Sequence, residues 1–302
     1  MRIQIVTIMC LVLVGCSTSS RRPQPRESVS HATELARTDD VSIPETMEIF
    51  ELLEIEPVDL SRFTAAVDAG TDVNTRHPNG MTPLMYASAR VSEPRIIERM
   101  IHLGAELESR SDLGSTALMI AASLNTNAEV HRALLDAGAD VNAKDDAGLT
   151  ALAIASGDNA NTEVIRLLID AGSDIESKDR IGMTPLFYAV ANNPEPGITS
   201  MLIQSNAMVD IALPNGLTPL MMAAARASEP STIKLLLGAG SDIRRTDAMG
   251  RSGMTYLLQN QSLSESQMVD IIETSLSSAD GSRGSENQAE DARKTDEPAS
   301  PR

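Results

Sequence analysis

The sequence predicts an all-α repeat solenoid, and three observations predict it. The first is a period: "GMTPLMYA" begins at Gly80, "GSTALMIA" at Gly114, "GLTALAIA" at Gly148, "GMTPLFYA" at Gly182 and "GLTPLMMA" at Gly216, with a decayed "GRSGMTYL" at Gly250, a constant step of 34 residues. The second is another series on the same step, Gly70, Gly104, Gly138, Gly172 and Gly240, with Asn206 in the one remaining place. Asparagine is the non-glycine residue that best tolerates a left-handed backbone, so this position reads as a helix C-terminal cap. The third is composition: aromatics are only 2% of 302 residues, so the core must be filled by Leu, Ile, Ala and the 15 Met. Thin helical layers suit that filling better than a sandwich or barrel does.

Each unit follows in order. Thr82, Thr116, Thr150, Thr184 and Thr218 stand where a hydroxyl caps a helix, and Pro83, Pro185 and Pro219 occupy the first turn, where proline has no N–H to lose. The second helix pairs apolar residues one turn apart: Ile96 and Ile97 with Met100 and Ile101, Val130 with Leu134 and Leu135, Val164 and Ile165 with Leu168 and Ile169. Small Ala87, Ala121, Ala155, Ala189 and Ala223 recur where neighbouring first helices must approach closely. One such unit cannot bury its own apolar face, and stacking is what covers it.

These motifs resemble the ankyrin repeat, whose pattern is Gly-x-Thr-Pro-Leu, a helix pair and then "AGADVNA"; residues 137–143 match the last element letter for letter. The resemblance implies an ankyrin array of five full repeats with short β-hairpin tips, flanked by degenerate caps. Residues 48–81 carry "EIFELLEIE" in place of the Thr-Pro-Leu helix, and residues 252 to about 278 keep an amphipathic "SQMVDIIETSL". The common ankyrin period is 33, so this array is one residue longer per unit, most simply in the loop joining the two helices. Met85, Met119, Ala153, Phe187 and Met221 replace the family's histidine after Thr-Pro-Leu, as apolar filling or as an adaptable contact surface.

The first residues, "MRIQIVTIMCLVLVGC", place one positive charge before an apolar run too short to span a bilayer. Leu13-Val14-Gly15-Cys16 resembles the lipobox of bacterial lipoproteins, which implies a signal peptide over 1–15 and acylation of Cys16. Two or three acyl chains suffice for stable anchoring. From residue 16 to 42 the chain is rich in Ser, Thr, Arg and Pro and reads as an unfolded tether, with a mean reach of about 30 Å. Ser17 after the cysteine implies outer-membrane sorting if the envelope is Gram-negative. The repeat domain spans 43–278, and the tail from 279 to 302 is polar and aperiodic.

Residues 43–278 carry 32 acidic against 16 basic side chains, which argues against nucleic acid as a partner. The only cysteines are Cys10 and Cys16, so the body has no disulfide framework. His31, His77, His102 and His131 are scattered, and His131 falls where Ile97, Ile165 and Ile233 stand, as a structural, partly buried histidine would. "DVNAKDDAG" at 140–148 lacks the closing bidentate Glu of a calcium loop. No nucleophile has a partnered base, so the sequence predicts no catalysis, no cofactor, no metal and no small-molecule substrate.

Binding is the function these residues suggest, and in ankyrin proteins hairpin tips and first-helix faces line the partner groove. Before the tip glycine stand Asn79, Leu113, Ala147, Ile181, Asn215 and Met249; after it stand Met81, Ser115, Leu149, Met183, Leu217 and Arg251. Two lines running side by side would form an apolar stripe in an acidic frame. Its candidate contacts are Met81, Leu113, Leu149, Ile181, Met183, Leu217, Met249 and Arg251. The same side chains could instead serve only cohesion between tips. The expectation is a lipid-anchored, non-enzymatic envelope scaffold that binds a protein. The alternative is a structural spacer or protector without a discrete site.

Overall fold

The computed structural model describes residues 49–54 and 59–276. Cys16, the predicted leader and tether over 1–42, and the tail over 279–302 lie outside the described residues. The described chain is helical throughout: α1 (Ile49–Glu54), α2 (Leu60–Asp68), α3 (Pro83–Arg90), α4 (Pro94–His102), α5 (Ala117–Leu124), α6 (Ala128–Asp136), α7 (Ala151–Asp158), α8 (Thr162–Asp170), α9 (Pro185–Asn192), α10 (Pro196–Gln204), α11 (Pro219–Arg226), α12 (Ser231–Gly238) and α13 (Gly253–Gln259). A last helical stretch covers residues 265–276. These form seven helix pairs, the five full repeats and two caps that the period predicts. The first helices stack in chain order from α1 through α13, and α4, α6, α8, α10 and α12 stack beside them as an outer row.

Capping explains where the helices begin. The hydroxyls of Thr82, Thr116, Thr150 and Thr218 accept the N–H three residues on at 3.3–3.5 Å, and Ser252 takes the same role at 3.2 Å. Thr184 holds the same N-cap position, but its buried hydroxyl has no partner. The thioethers of Met85 and Met119 accept the N–H of Thr82 and Thr116 at 3.5 Å, so methionine here is also a weak acceptor within its own repeat.

Outer helices end as the second glycine series predicts. The N–H of Gly138 reaches the carbonyl of Leu135 and that of Ala139 reaches Leu134, a Schellman pair that recurs along the array. Asn206 closes α10 the same way with φ of 67°, the one non-glycine positive φ among the described residues. Between the layers, Ala87, Ala121, Ala155, Ala189 and Ala223 are buried, and Ile96, Ile97, Val130, Leu134, Val164 and Leu168 fill the space behind them.

The β-hairpin tips require a correction. The loop before each first helix is a finger closed by a tight turn, as in Gly148 N–H to Asp145 carbonyl at 2.9 Å and Asp145 N–H to Leu149 carbonyl at 3.0 Å. The chain then enters the next helix at once, so no strand extends. Only Thr246 and Ser252 form an isolated antiparallel bridge among the described residues.

Three sets of hydrogen bonds at the 34-residue step join one repeat to the next. Finger to finger, the N–H groups of Asp112, Asp146, Arg180 and Ala248 donate to the carbonyls of Asn79, Leu113, Ala147 and Asn215 at 2.9–3.4 Å. At the finger bases, Asn74, Glu108, Asn142, Glu176 and Asp210 accept the backbone N–H of Glu106, Asp140, Asp174, Met208 and Asp242 at 2.7–3.3 Å. In the loops joining the helices of a pair, Asn125, Asn159, Asn193 and Asn260 each donate their amide to two carbonyls of the preceding repeat at 2.9–3.1 Å. Each of these asparagines also accepts the N–H two residues on, at 2.8–3.0 Å. Asn159 is only 1% exposed, so its amide is fully committed to this role.

Two glycine positions separate local conformation from stacking. A Cβ on Gly172, at φ of 88°, would meet nothing, whereas one on Gly114, at φ of 77°, would lie 2.9 Å from the Asp146 nitrogen in the next finger. Gly172→Ala should therefore lower stability by about 1–2 kcal/mol through backbone strain alone. Gly114→Ala should lower it by more, because it also pushes two repeats apart. Urea midpoints of the two variants check this, and the reverse order would contradict it.

Candidate functional site

The fingers are the part of each repeat that both reaches solvent and is held rigidly. Asp179 and Asp247 set their geometry. Asp179 accepts the N–H groups of Ile181 and Met183 at 2.9 and 2.8 Å, and Asp247 those of Met249 and Arg251 at 2.9 and 2.8 Å. Asp145 does the same for Ala147 and Leu149 at 2.9 and 2.8 Å. Burial pushes the Asp145 carboxyl above its ordinary range, although the N–H groups of Leu149 and Ala147 favour its charged form.

Tyrosines on the first helices pin two of these fingers. The Tyr188 hydroxyl donates to Asp179 at 2.5 Å, and the Tyr256 hydroxyl to Asp247 at 2.8 Å. Burial and the acceptor carboxylate raise the pKa of Tyr188, and burial first, then the bond to Asp247, raises that of Tyr256. Arg251 lies over the Tyr256 ring at 4.8 Å and donates to Asp247 at 2.9 Å. Burial opposes charge on Asp247, but the Arg251 N–H, the Tyr256 hydroxyl and the Arg251 guanidinium outweigh it and hold the carboxyl well below the usual range. The sequence signal for these staples is a tyrosine nine residues after an aspartate at the head of the finger.

The predicted contact residues separate into two groups. Leu113, Ile181 and Met249 are exposed, at 68%, 51% and 78%. Met81, Leu149 and Leu217 are half-buried, and Met81 packs on the core. Met183 is 1% exposed, so the expectation that it contacts a partner is corrected. Arg251 is half-buried and committed to Asp247 and Tyr256. The reason is shared: the residue after the glycine pairs its backbone across the finger, which turns its side chain inward, and the residue before the glycine projects outward. A single interrupted row therefore replaces the two continuous lines, with exposed Asn79 at its start and exposed Ala147 and Asn215 between the apolar tips. With first helices packed at roughly 8–10 Å, these tips stand roughly 16–20 Å apart.

His131 is buried within the outer row rather than partly exposed. It is 0% exposed, its Nδ1 lies 3.0 Å from the Asn127 carbonyl, and its Nε2 has no partner. Burial lowers its pKa. Among the described residues no group of three or more His, Cys, Asp or Glu could hold a metal ion, and no helix is long and apolar enough to cross a membrane.

A row of rigid, solvent-reaching loops along a stack of helix pairs defines a repeat scaffold that offers a surface rather than a pocket. The chain belongs to the ankyrin-repeat proteins: the family profile for ankyrin repeats in three copies matches residues 58–145, 89–179 and 152–247. A solved ankyrin repeat domain, that of Bcl-3, described as a unique member of the IκB family, has the same fold. It is similar at a TM-score of 0.61 and 22% identity, over 76% of this chain and 99% of that one. No curated protein sequence is significantly similar. The ankyrin architecture is a scaffold for binding other proteins.

The buried histidine yields a pH dependence with a definite sign. The unfolded chain takes up a proton at His131 near pH 6.5 that the folded chain refuses, so the folded state loses stability as pH falls below that value, by at most about 1.4 kcal/mol per unit. His131→Ile, matching Ile97 and Ile165, should raise stability and flatten the profile between pH 7 and 5. Unchanged slopes in urea titrations of the two proteins would contradict this.

Proposed function

We propose that this protein is a lipid-anchored, non-enzymatic scaffold of a bacterial cell envelope that binds a partner protein along its fingers. The observation that carries the binding reading is the outward row of Leu113, Ile181 and Met249 on a rigid, ordered frame. Apolar side chains that solvent-exposed and regularly spaced are a surface awaiting a counterpart. Around the second to fourth fingers stand Glu106, Asp112, Asp140, Asp145, Asp146 and Asp174, while Arg110 and Lys144 are drawn into bonds with the Lys144 and Lys178 carbonyls. The partner chemistry that fits is a protein presenting apolar groups roughly 16–20 Å apart, accompanied by basic side chains that the acidic frame attracts.

Support for the anchor comes from the sequence. The apolar run ends at Cys16 inside Leu13-Val14-Gly15-Cys16, and a polar, proline-containing stretch follows at once. Acylated there and tethered by residues 16–42, the repeat domain over 43–278 would work close to a membrane, the outer one if the cell is Gram-negative. The membrane is then a second partner, engaged through Cys16.

Two experiments test the parts separately. Leu113→Ser, Ile181→Ser and Met249→Ser combined should abolish crosslinking of the partner in intact cells while helical circular dichroism and the thermal midpoint stay within error of the parent. Retention of the same crosslinked species by the folded triple variant would overturn the finger row. Cys16→Ala should move the protein from the membrane fraction to the soluble fraction and end incorporation of labelled palmitate, and membrane retention without label would overturn the anchor.

A further inference from the structure

We propose that the array has a built-in break between its fifth and sixth helix pairs, where α11, α12, α13 and residues 265–276 detach as a block from everything before them. The junction between α9/α10 and α11/α12 has lost most of the rungs that the other interior junctions keep. At the finger position held by Asp112, Asp146, Arg180 and Ala248 stands Pro214, which has no N–H, so the Ile181 carbonyl receives no rung. At the position of Asn125, Asn159 and Asn193 stands Ala227, which removes two donated bonds and one accepted bond.

Further bonds are missing at the same place. Arg76, Arg110 and Lys144 each reach the main-chain carbonyl 34 residues ahead, at 2.6, 2.7 and 3.0 Å, but Lys178 makes no such bond to residue 212. Leu213 stands where Asp145, Asp179 and Asp247 hold their own fingers in shape. Of the periodic rungs, only Met208 N–H to Glu176 Oε1, at 2.7 Å, crosses this junction.

The outer row is open at the same junction. A groove of about 590 Å³ opens between α10 and α12, lined by Ser200, Ile203, Gln204, Lys234, Leu235 and Gly238. The first and second pairs, where Val91 replaces the asparagine, likewise leave a groove of about 690 Å³ between α2 and α4. Both grooves thus lie at junctions that lack the asparagine rung. Past the break the rungs resume: Ala248 N–H to Asn215, Asn260 to Ala224 and Ala227, Arg245 to the Asp210 carbonyl, and the Lys234–Asp270 ion pair join the sixth and seventh pairs.

In a quasi-one-dimensional stack, stability is a sum of unit and interface contributions, so the weakest interior interface is where the array opens below global unfolding. The break also divides the finger row, with Leu113 and Ile181 on one side and Met249 on the other. A partner spanning both sides would hold the junction shut, and one gripping either side alone would leave it free.

The restoring change is small. The backbone at Ala227, φ −63° and ψ 135°, lies in the extended region where Asn159 sits at −89° and 131°, so an asparagine fits there without strain. Native-state hydrogen exchange on the full chain tests the break. Amides of α11, α12 and α13 should exchange together through an opening about tenfold or more frequent than that of α5 to α8, with the step at the fifth–sixth junction. Ala227→Asn should slow that opening about tenfold and leave α5 to α8 unchanged, and Asn193→Ala should create a matching step one repeat earlier. Protection that is uniform, or that declines smoothly toward the C-terminus without a step, would overturn the proposal. So would an Ala227→Asn variant whose C-terminal block opens as often as the parent's.

Discussion

Everything in this structure depends on polar atoms that one repeat cannot satisfy by itself. A helix pair ends with open carbonyls in the loop between its helices and an apolar face behind them. The next pair covers the face, and its asparagine bonds the carbonyls. Asn159 is almost wholly buried while it donates to Ala122 and Asn125 and accepts from Asn161. A buried amide left unpaired costs about 1–3 kcal/mol, so a one-residue slip in register would penalise several such groups at once. Apolar stacking alone tolerates sliding; this ladder does not.

That register is what makes the fingers a usable surface. Three fingers are held by their own aspartates, Asp145, Asp179 and Asp247, two of these also by a tyrosine from the helix they lead into, and neighbouring fingers bond to one another except across the Pro214 junction. The exposed side chains therefore stand on a frame that loses little freedom on binding, which favours affinity through preorganisation. The price of such a frame is rigidity, and the junction with Pro214 and Ala227 relieves it at one place.

Features set by local chemistry are legible in the sequence. A threonine before an apolar helix, a glycine ending one and the asparagine at 206 declare caps whatever surrounds them, and they are found where the period puts them. The five alanines between first helices are legible for a similar reason, since only a small side chain repeats there. The inter-repeat asparagines are harder to see. They fall in loops of differing text, and their partners are main-chain atoms of another repeat, which leave no pattern in residue type. The sides of the finger were also concealed, because which flank of the glycine faces out depends on how the backbone pairs across the turn. Hence Leu113, Ile181 and Met249 are exposed and Met183 is buried, although all four read as one stripe of similar residues. The hairpin tips are what the ankyrin resemblance implies, and here helices begin too soon for strands to form.

The account's central claim is that successive repeats are interchangeable in register and hold one another through bonds at the 34-residue step. Equilibrium urea unfolding of a chain lacking residues 116–149, one whole period, tests it most directly. The deletion brings Asn159 opposite the carbonyls of Ser88 and Val91, the partners that Asn125 has in the full chain. The predicted result is a folded, cooperative, shorter array with a smaller m-value and a lower midpoint. A chain without helical signal, or one whose m-value and midpoint match those of the full protein, would contradict the claim.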